Sequence, residues 1–183
     1  MIFHQTDLSG VFIIEPELIE DERGFFACAW ITSEFEQQGL NPTVRQGNIA
    51  FNARRGTIRG MHFQKKPHEE AKLTRCTRGA IYDVAIDLRP DSATRYRWVG
   101  AELTAENHRM LYVPEGFAHG YQTLTDDTEM FYQISEYYHP ECADGVRWND
   151  PAFGIRWPLP VTVITERDAN YPLLGLGTPA KTN

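Results

Sequence analysis

Positive charge, cysteine and long hydrophobic runs are all scarce in this sequence. Its 183 residues contain 18 Lys and Arg against 25 Asp and Glu, which gives a formal net charge of -7. The chain therefore lacks the overall basic field that attracts a polyanionic nucleic acid, although a few arginines can still bind one diphosphate. We expect no nucleic-acid partner, while small nucleotides remain possible ligands.

The cysteines Cys28, Cys76 and Cys142 are scattered, with neither metal-ligand spacing nor the density of a disulfide-rich secreted domain. No segment approaches the roughly 20 apolar residues of a membrane-spanning helix. The first seven residues also lack the cationic and apolar regions of an export signal. We expect a cytoplasmic protein with no membrane partner, folded as a single domain over 1–183 with a mobile tail from about 175.

Short apolar or alternating segments, separated by Gly, Pro, Asn and Asp, run from residue 11 to about residue 138. Such a series predicts an all-β sandwich or barrel. The predicted strands are 11–14, 24–30, 44–51, 57–63, 71–77, 80–88, 98–103, 110–113, 117–124 and 129–138. Within 80–88, alternation places Asp83 and Asp87 on one face and apolar side chains on the other. Short helices are predicted at 32–39, with Thr32 as a possible cap, and after Thr165.

Two histidines on predicted strands have distinctive neighbours, His62 in Arg-Gly-Met-His-Phe-Gln and His119 in Pro-Glu-Gly-Phe-Ala-His-Gly. Both stretches are similar to cupin metal motifs, but Gln64 stands where the first motif has a second histidine. An amide is a poor substitute for imidazole in a transition-metal site, so we expect no metal. Imidazole can instead accept a carbon-bound proton beside a carbonyl near neutral pH. We interpret His68-Glu69-Glu70 as a solvated loop.

Six motifs carry a more specific resemblance, which covers residues from about 10 to 175. They are Asp-Glu-Arg-Gly-Phe-Phe at 21–26, Arg-Gly-Met-His-Phe-Gln at 59–64, Lys-Leu-Thr-Arg-Cys at 72–76, Pro-Glu-Gly-Phe-Ala-His-Gly at 114–120, Tyr-Tyr at 137–138 and Trp-Asn-Asp at 148–150. In this order they resemble the dTDP-4-dehydrorhamnose 3,5-epimerase family. The resemblance implies a homodimeric, jelly-roll, cupin-like β-barrel that acts on a dTDP-4-keto-6-deoxyhexose without metal or cofactor.

The resemblance also implies four catalytic roles. His62 matches the base that removes the proton alpha to the ketone, and Asp168 matches the carboxylate paired with that base. Tyr132 matches the tyrosine that returns a proton on the opposite sugar face, and Lys72 matches the lysine that stabilises the enolate oxygen. Inversion requires two groups on opposite faces, because one base on one face usually restores the original configuration. A fixed cation aimed at developing negative charge lowers the barrier.

Six further residues match substrate-binding positions of the family. They are Arg23 and Arg59 near the diphosphate, Gln46 and Asn48 in the nucleotide-sugar pocket, Tyr138 beside the nucleotide base, and His119 lining the cavity. Guanidinium groups suit phosphate oxygens. The chain departs from the family pattern at Cys28, where members often have Glu, and at Ile49-Ala50, where His-Ser is familiar. These departures leave the sugar and the number of inverted centres open.

We therefore hypothesise that the chain epimerises dTDP-4-dehydro-6-deoxy-D-glucose at C3 and C5, the isomerase step of dTDP-rhamnose biosynthesis. A 3- or 5-epimerase that inverts a single centre is the nearest alternative. A metal-dependent cupin enzyme that uses His62, Glu69 and His119 is a rival from another enzyme class. A sugar-nucleotide sensor without catalysis is the non-enzyme alternative, and the joint presence of His62, Lys72, Tyr132 and Asp168 argues against it.

Overall fold

The computed structural model describes residues 1–175, so the tail expected to be mobile lies almost wholly outside the described residues. In chain order the elements are β1 Ile2–Gln5, β2 Phe12–Glu15, β3 Ile19–Asp21, β4 Gly24–Phe26, α1 Thr32–Gln37, β5 Gln46–Asn52, β6 Ile58–Gln64, β7 Lys72–Arg78, β8 Ala80–Asp87, β9 Trp98–Thr104, β10 Met110–Val113, β11 Phe117–Thr123, β12 Thr128–Ile134, β13 Ala143–Gly145 and α2 Glu166–Ala169. The all-β prediction is confirmed.

Two large antiparallel sheets form the body of the structure. One sheet has six strands in the order β1-β2-β10-β7-β12-β5, and the other has five in the order β13-β6-β11-β8-β9. Strands β3 and β4 form a separate two-stranded hairpin. Neither helix in residues 1–175 has the length and apolar character needed to cross a bilayer.

The ten predicted strands all have an observed counterpart, but two of them were predicted too long. The strand predicted at 24–30 ends at Phe26, and the one predicted at 129–138 ends at Ile134. The sequence prediction missed β1, β3 and β13, which have four residues or fewer. Such short strands contain too few alternating positions for a pattern, and pairing with a neighbouring strand determines them instead.

Both predicted helices are present, but the cap expected at the first one is not. The cap of α1 is Ile31, which makes no side-chain capping bond, so the expected cap at Thr32 is wrong. The burial of Phe35 against aromatic neighbours holds this helix in place instead. At α2, the Thr165 hydroxyl accepts a hydrogen bond from the Asp168 amide, as a capping threonine should.

Other parts of the chain pack against both faces of β8. The face that carries Asp83 and Asp87 points between the two large sheets. Ile81 and Ala85 pack in a core that includes Leu111 and Met130 of the six-stranded sheet. The opposite face, with Val84 and Ile86, packs against Phe153 and neighbouring side chains of the C-terminal segment. The two aspartates of β8 are therefore buried within the protein, where each carboxylate requires hydrogen-bond partners.

Those partners are present for both aspartates. Asp87 binds Arg89, Ser92 and Thr94. Burial raises the pKa of Asp87, but these hydrogen bonds outweigh burial and lower it to about 2. Asp83 accepts hydrogen bonds from the Thr74 hydroxyl and from His119. The carboxylates predicted to share a face thus belong to two separate buried hydrogen-bond networks.

Gly60 in β6 has a backbone position that only glycine fits. Its φ is +129°, and a Cβ placed there would lie 2.5 Å from the Gly120 Cα on β11. The Gly60 amide also donates a hydrogen bond to Asp168 Oδ2 at 3.1 Å. The close approach of β6 and β11 therefore requires a glycine at position 60, two residues before His62.

Substituting Gly60→Ala should lower the free energy of unfolding by about 3 kcal/mol, because a methyl group there adds a backbone clash to the cost of positive φ. Gly24→Ala is the matched control, since Gly24 has a φ of +122° but no atom within 4 Å of the added carbon. We expect a loss of about 1 to 2 kcal/mol there. Urea unfolding followed by tryptophan fluorescence measures both values. Equal losses in the two variants would contradict the close approach.

Candidate active site

The strand register gathers polar side chains on the inner face of the six-stranded sheet. Tyr132 of β12 lies opposite Asn48 of β5 and Thr74 of β7, and Ile134 lies opposite Gln46 and Lys72. Residues two apart on a strand share a face. Gln46, Asn48, Lys72 and Tyr132 therefore project to the same side, and all four line one cavity of about 230 Å³.

The five-stranded sheet contributes His62 of β6 to the wall of the same cavity. The side chain of His62 is 34% exposed, and its Nε2 lies 2.8 Å from Asp168 Oδ1 of α2. Donation of an Nε2–H to the carboxylate leaves Nδ1 with the free lone pair of a base. The fold thus brings together an imidazole and a carboxylate that are 106 positions apart in the chain.

The surroundings of Asp168 favour its ionised form. Its side chain is only 3% exposed, and its second oxygen accepts the hydrogen bond from the Gly60 amide. Burial raises the pKa of Asp168, but the hydrogen bond and charge of His62, the Gly60 amide and the Arg167 charge together bring it below its ordinary value. A carboxylate in this state can stabilise an imidazolium that forms at His62.

Arg167 and Tyr171 also line the cavity, although neither was predicted from the sequence. Arg167 Nη2 lies 3.4 Å from His62 Nε2, and the ring centroid of Tyr171 lies 6.3 Å from that of His62. The sequence signal that was available is their position, one residue before and three residues after Asp168. A Cβ on Gly145 would collide with the Tyr171 ring, so the glycine makes room for this aromatic wall.

Lys72 is buried, as its position in an apolar segment indicated. Its Nζ lies 2.9 Å from Glu70 Oε1 and donates a hydrogen bond to the His62 carbonyl at 3.3 Å. The interpretation of 68–70 as a solvated loop is wrong for Glu70, whose side chain is 9% exposed and lines the cavity. The loop folds inward there because the carboxylate pairs with the buried ammonium group.

Seven of the residues predicted for the site line this cavity or bind a residue that does. They are Gln46, Asn48, His62, Lys72, Tyr132 and Tyr138 in the lining, and Asp168 through His62. His119 lies opposite His62 in the strand register, but it is buried and pairs with Asp83 at 2.6 Å, outside the lining. A larger cleft of about 760 Å³ adjoins at Phe63 and Gln64, and none of the ten predicted site residues lines it.

The two predicted arginines lie farther from the cavity. Arg59 donates hydrogen bonds to the Asn52 side chain and the Phe51 carbonyl and does not line the cavity. Arg23 sits in the turn between β3 and β4, is 85% exposed, and pairs with Asp21. In the single chain, the Arg23 side chain does not line the cavity.

The ligand atoms of His62, Glu69 and His119, which the metal-dependent alternative requires, do not form a cluster within 4.8 Å among residues 1–175. Among residues 1–175, the group of candidate ligand atoms that do lie within 4.8 Å of one another is His68, Glu136 and His139. The rings of the two histidines in that group are stacked 3.4 Å apart at 13°. Parallel stacked rings direct their nitrogen lone pairs side by side, so this arrangement does not converge on one ion.

Comparison with known proteins gives consistent matches along the chain. The family model for dTDP-4-dehydrorhamnose 3,5-epimerase matches residues 5–175. The enzyme of that name from Methanothermobacter thermautotrophicus is 44% identical over 173 residues, which cover 92% of each chain. The structure of the Bacillus anthracis enzyme with TDP and PPi bound has a TM-score of 0.91 and 42% identity, covering 94% of this chain and 99% of that one.

Two further solved structures contain sugar nucleotides. The Legionella pneumophila epimerase in complex with dTDP-4-keto-L-rhamnose has a TM-score of 0.89 and 35% identity, covering 96% of this chain and 93% of that one. ChmJ, a 3'-monoepimerase from Streptomyces bikiniensis in complex with dTDP-quinovose, has a TM-score of 0.87 and 33% identity, covering 94% and 87%. The fold is therefore similar in proteins named for one inverted centre and for two.

Replacing Asp168→Asn should destabilise the protein by about 2 kcal/mol near neutral pH, because the buried carboxylate loses charge-assisted hydrogen bonds. The pKa of Asp168 is lower in the folded than in the unfolded chain, so its contribution is complete above the unfolded value of about 4 and disappears as pH falls through the folded value. Wild type and variant should therefore converge in acid. Urea unfolding across pH measures this convergence.

The exposed carboxylate of Asp7 provides the control, since Asp7→Asn should change the free energy of unfolding by less than about 0.5 kcal/mol. A difference between wild type and Asp168→Asn that stays constant from neutral pH into acid would contradict the assigned pairing.

Proposed function

The chain belongs to the dTDP-4-dehydrorhamnose 3,5-epimerase family, and from that premise we propose that it converts dTDP-4-dehydro-6-deoxy-D-glucose to dTDP-4-dehydro-L-rhamnose. The reaction inverts C3 and C5 of the sugar. The observation that carries this proposal is the His62–Asp168 pair at the wall of a cavity that Tyr132 and Lys72 also line. A base, an acid and a cation around one cavity are the groups that carbanion chemistry beside a ketone requires.

The first step is removal of a proton from a carbon beside the C4 ketone. His62 accepts this proton, and the electron pair of the broken C–H bond moves toward the ketone oxygen to form an enolate. The imidazolium that results is stabilised by the ionised carboxylate of Asp168 at 2.8 Å. Because the ketone itself acidifies the carbon, the step needs no redox cofactor.

The second step returns a proton to the same carbon from the other face. Lys72 supplies positive charge to the enolate oxygen, and Tyr132 donates its phenolic proton to the carbon. Support for Tyr132 as an acid comes from its pKa, which burial and then the charge of Glu70 raise above the ordinary value. A phenol that stays protonated at neutral pH can act as the donor, and solvent afterwards restores its proton.

The remaining predicted residues form the binding part of the proposal. Gln46 and Asn48 are linked by a 2.8 Å hydrogen bond and present amide groups to the cavity. Tyr138 lines the same cavity and offers an aromatic face to a nucleotide base. Arg59 is proposed to bind the diphosphate, and His119 is proposed to support the wall behind His62, to which it is opposite in register.

We also propose that the functional unit is a homodimer. Large apolar side chains are exposed on the β3–β4 hairpin and on β5, which is an edge strand of the six-stranded sheet. They are Ile19, Phe25, Phe26, Ile49 and Phe51, each 49% to 70% exposed. Exposed apolar side chains on an edge strand and on a hairpin favour association with a second copy. In such a dimer, Arg23 on the hairpin would serve the cavity of the other subunit.

Two finer points belong to the proposal. A single-centre epimerase is the second candidate, and the similarity to the 3'-monoepimerase ChmJ favours keeping it. The cytoplasmic location expected from the scattered cysteines stays a prediction, and the three thiols form no disulfide with one another.

Exchange of solvent deuterium into the sugar tests the mechanism and the number of centres together. We expect the wild-type chain to incorporate deuterium at both C3 and C5 of dTDP-4-dehydro-6-deoxy-D-glucose, as followed by NMR. His62→Asn should abolish exchange at both carbons while nucleotide binding survives. Tyr132→Phe should retain exchange catalysed by His62 but lower the rate of inversion by about 10²- to 10⁴-fold.

The outcomes discriminate among the candidates. Incorporation at C3 alone or C5 alone would support the single-centre alternative, and exchange surviving in His62→Asn would remove His62 from its role. We expect activity to survive exhaustive chelation, whereas loss of activity that added metal restores would favour the metal-dependent alternative.

The dimer is tested by sedimentation of interface variants. We expect the wild type to sediment as a dimer and Phe26→Asp to shift toward monomer, since a carboxylate in a packed apolar interface is costly. Ile2→Asp is the matched control, because Ile2 is also an exposed apolar residue, but on the opposite edge strand β1. A monomeric wild type, or an unchanged dimer in Phe26→Asp, would contradict the assigned interface.

A further inference from the structure

Glu70 is a carboxylate with little solvent exposure at the cavity wall, and the proposed proton transfers do not use it. It precedes β7 in the loop after β6, and its Oε1 lies 2.9 Å from Lys72 Nζ. Both side chains are 9% exposed, and both line the cavity with Tyr132 and His62. A buried charge of this kind is costly unless it is paired, so its position in a site for a neutral sugar ring calls for an explanation.

The first consequence of the pair is geometric. Lysine is a flexible side chain with three donors and loses considerable rotamer freedom when held in one position. Here two acceptors hold the ammonium group, the Glu70 carboxylate and the His62 carbonyl at 3.3 Å. Lys72 is thereby fixed beside the backbone of the proposed base, before any substrate is bound.

The second consequence is electrostatic. Cationic or basic groups act on this region from three elements. His62 of β6, Lys72 of β7 and Arg167 of α2 line the cavity, and the charge of Arg59 on β6 acts on Tyr132 from outside the lining. The phenols of Tyr121, Tyr138 and Tyr171 are further titratable neighbours. Such a set of positive charges favours ionisation of a phenol at the cavity, which would remove the proton that Tyr132 must donate.

Two carboxylates among the lining residues oppose this field. Asp144 is 41% exposed and lies 3.3 Å from Lys65 at the surface, so solvent and its partner screen it. Glu70 is buried and faces the same cavity as Tyr132. The charge of Glu70 raises the pKa of Tyr132, whereas the charge of Arg59 lowers it.

We propose that Glu70 is a positioning residue for the epimerisation: its carboxylate holds Lys72 Nζ beside the base, and its negative charge at the same cavity opposes the cations that face Tyr132. This assignment rests on the proposed function and deepens it. The two effects act through different properties of the side chain, its reach and its charge, so different substitutions separate them.

Glu70→Gln removes the charge and keeps an oxygen that can accept from Lys72. An acid that works in its protonated form loses activity as pH rises through its pKa, so lowering that pKa moves the alkaline limb of the kcat profile to lower pH. We expect this shift in Glu70→Gln with kcat at neutral pH changed by less than about 3-fold. Glu70→Ala removes charge and reach, and should also lower kcat by about 10- to 100-fold at neutral pH.

Glu69→Gln is the matched control, because the neighbouring carboxylate lines the adjoining 760 Å³ cleft. We expect it to keep the wild-type profile. Circular dichroism and thermal unfolding verify that each variant folds. Should Glu70→Ala not fold, Glu70→Asp replaces it, because this change keeps the charge and shortens the side chain. We expect Glu70→Asp to lower kcat while the alkaline limb of its pH profile stays at the wild-type position.

The results separate the two levels of the proposal. An active wild type with the same alkaline limb in Glu70→Gln overturns the electrostatic role of Glu70. Equal kcat at neutral pH in Glu70→Gln and Glu70→Ala overturns its role in holding Lys72. A wild type that neither exchanges deuterium nor inverts the sugar overturns the proposed function itself, and the assignment of Glu70 with it.

Discussion

The hydrogen bond between His62 Nε2 and Asp168 Oδ1 orients the proposed base of this site. It joins β6 of the five-stranded sheet to α2, near the C-terminal end of the described chain. The Thr165 cap orients α2, and the Gly60 amide binds the other carboxylate oxygen. The pair therefore favours the proton on Nε2 of the imidazole and leaves Nδ1 as the base of a residue that lines the cavity.

The fold was largely predictable because its long strands carry regular alternation. β5 to β9, β11 and β12 have seven or eight residues each, and pattern reasoning found all of them. The three missed strands are too short to show a period. Alternation also placed Asp83 and Asp87 on one face of β8, but the partners that neutralise each carboxylate come from distant or irregular segments, which no local pattern indicates.

The site was predictable only through the family resemblance, which supplied His62 and Asp168 together although 106 positions separate them. Glu70 and Arg167 were missed for physical reasons. Charged residues in loops are usually solvated, so Glu70 gave no signal until the structure paired it with buried Lys72. Arg167 looks like an ordinary surface residue in sequence, and only the direction of α2 turns it toward His62.

The central claim is that His62 and Tyr132 act on opposite faces of one sugar ring. The most direct test is a crystal structure of the chain with a dTDP-linked 6-deoxyhexose that lacks the ketone and therefore cannot react. We expect the ring to lie between the two residues, with His62 Nδ1 and the Tyr132 hydroxyl near C5 from opposite sides. A ring bound with both groups on the same face, or bound in the larger cleft beside Gln64, would contradict it.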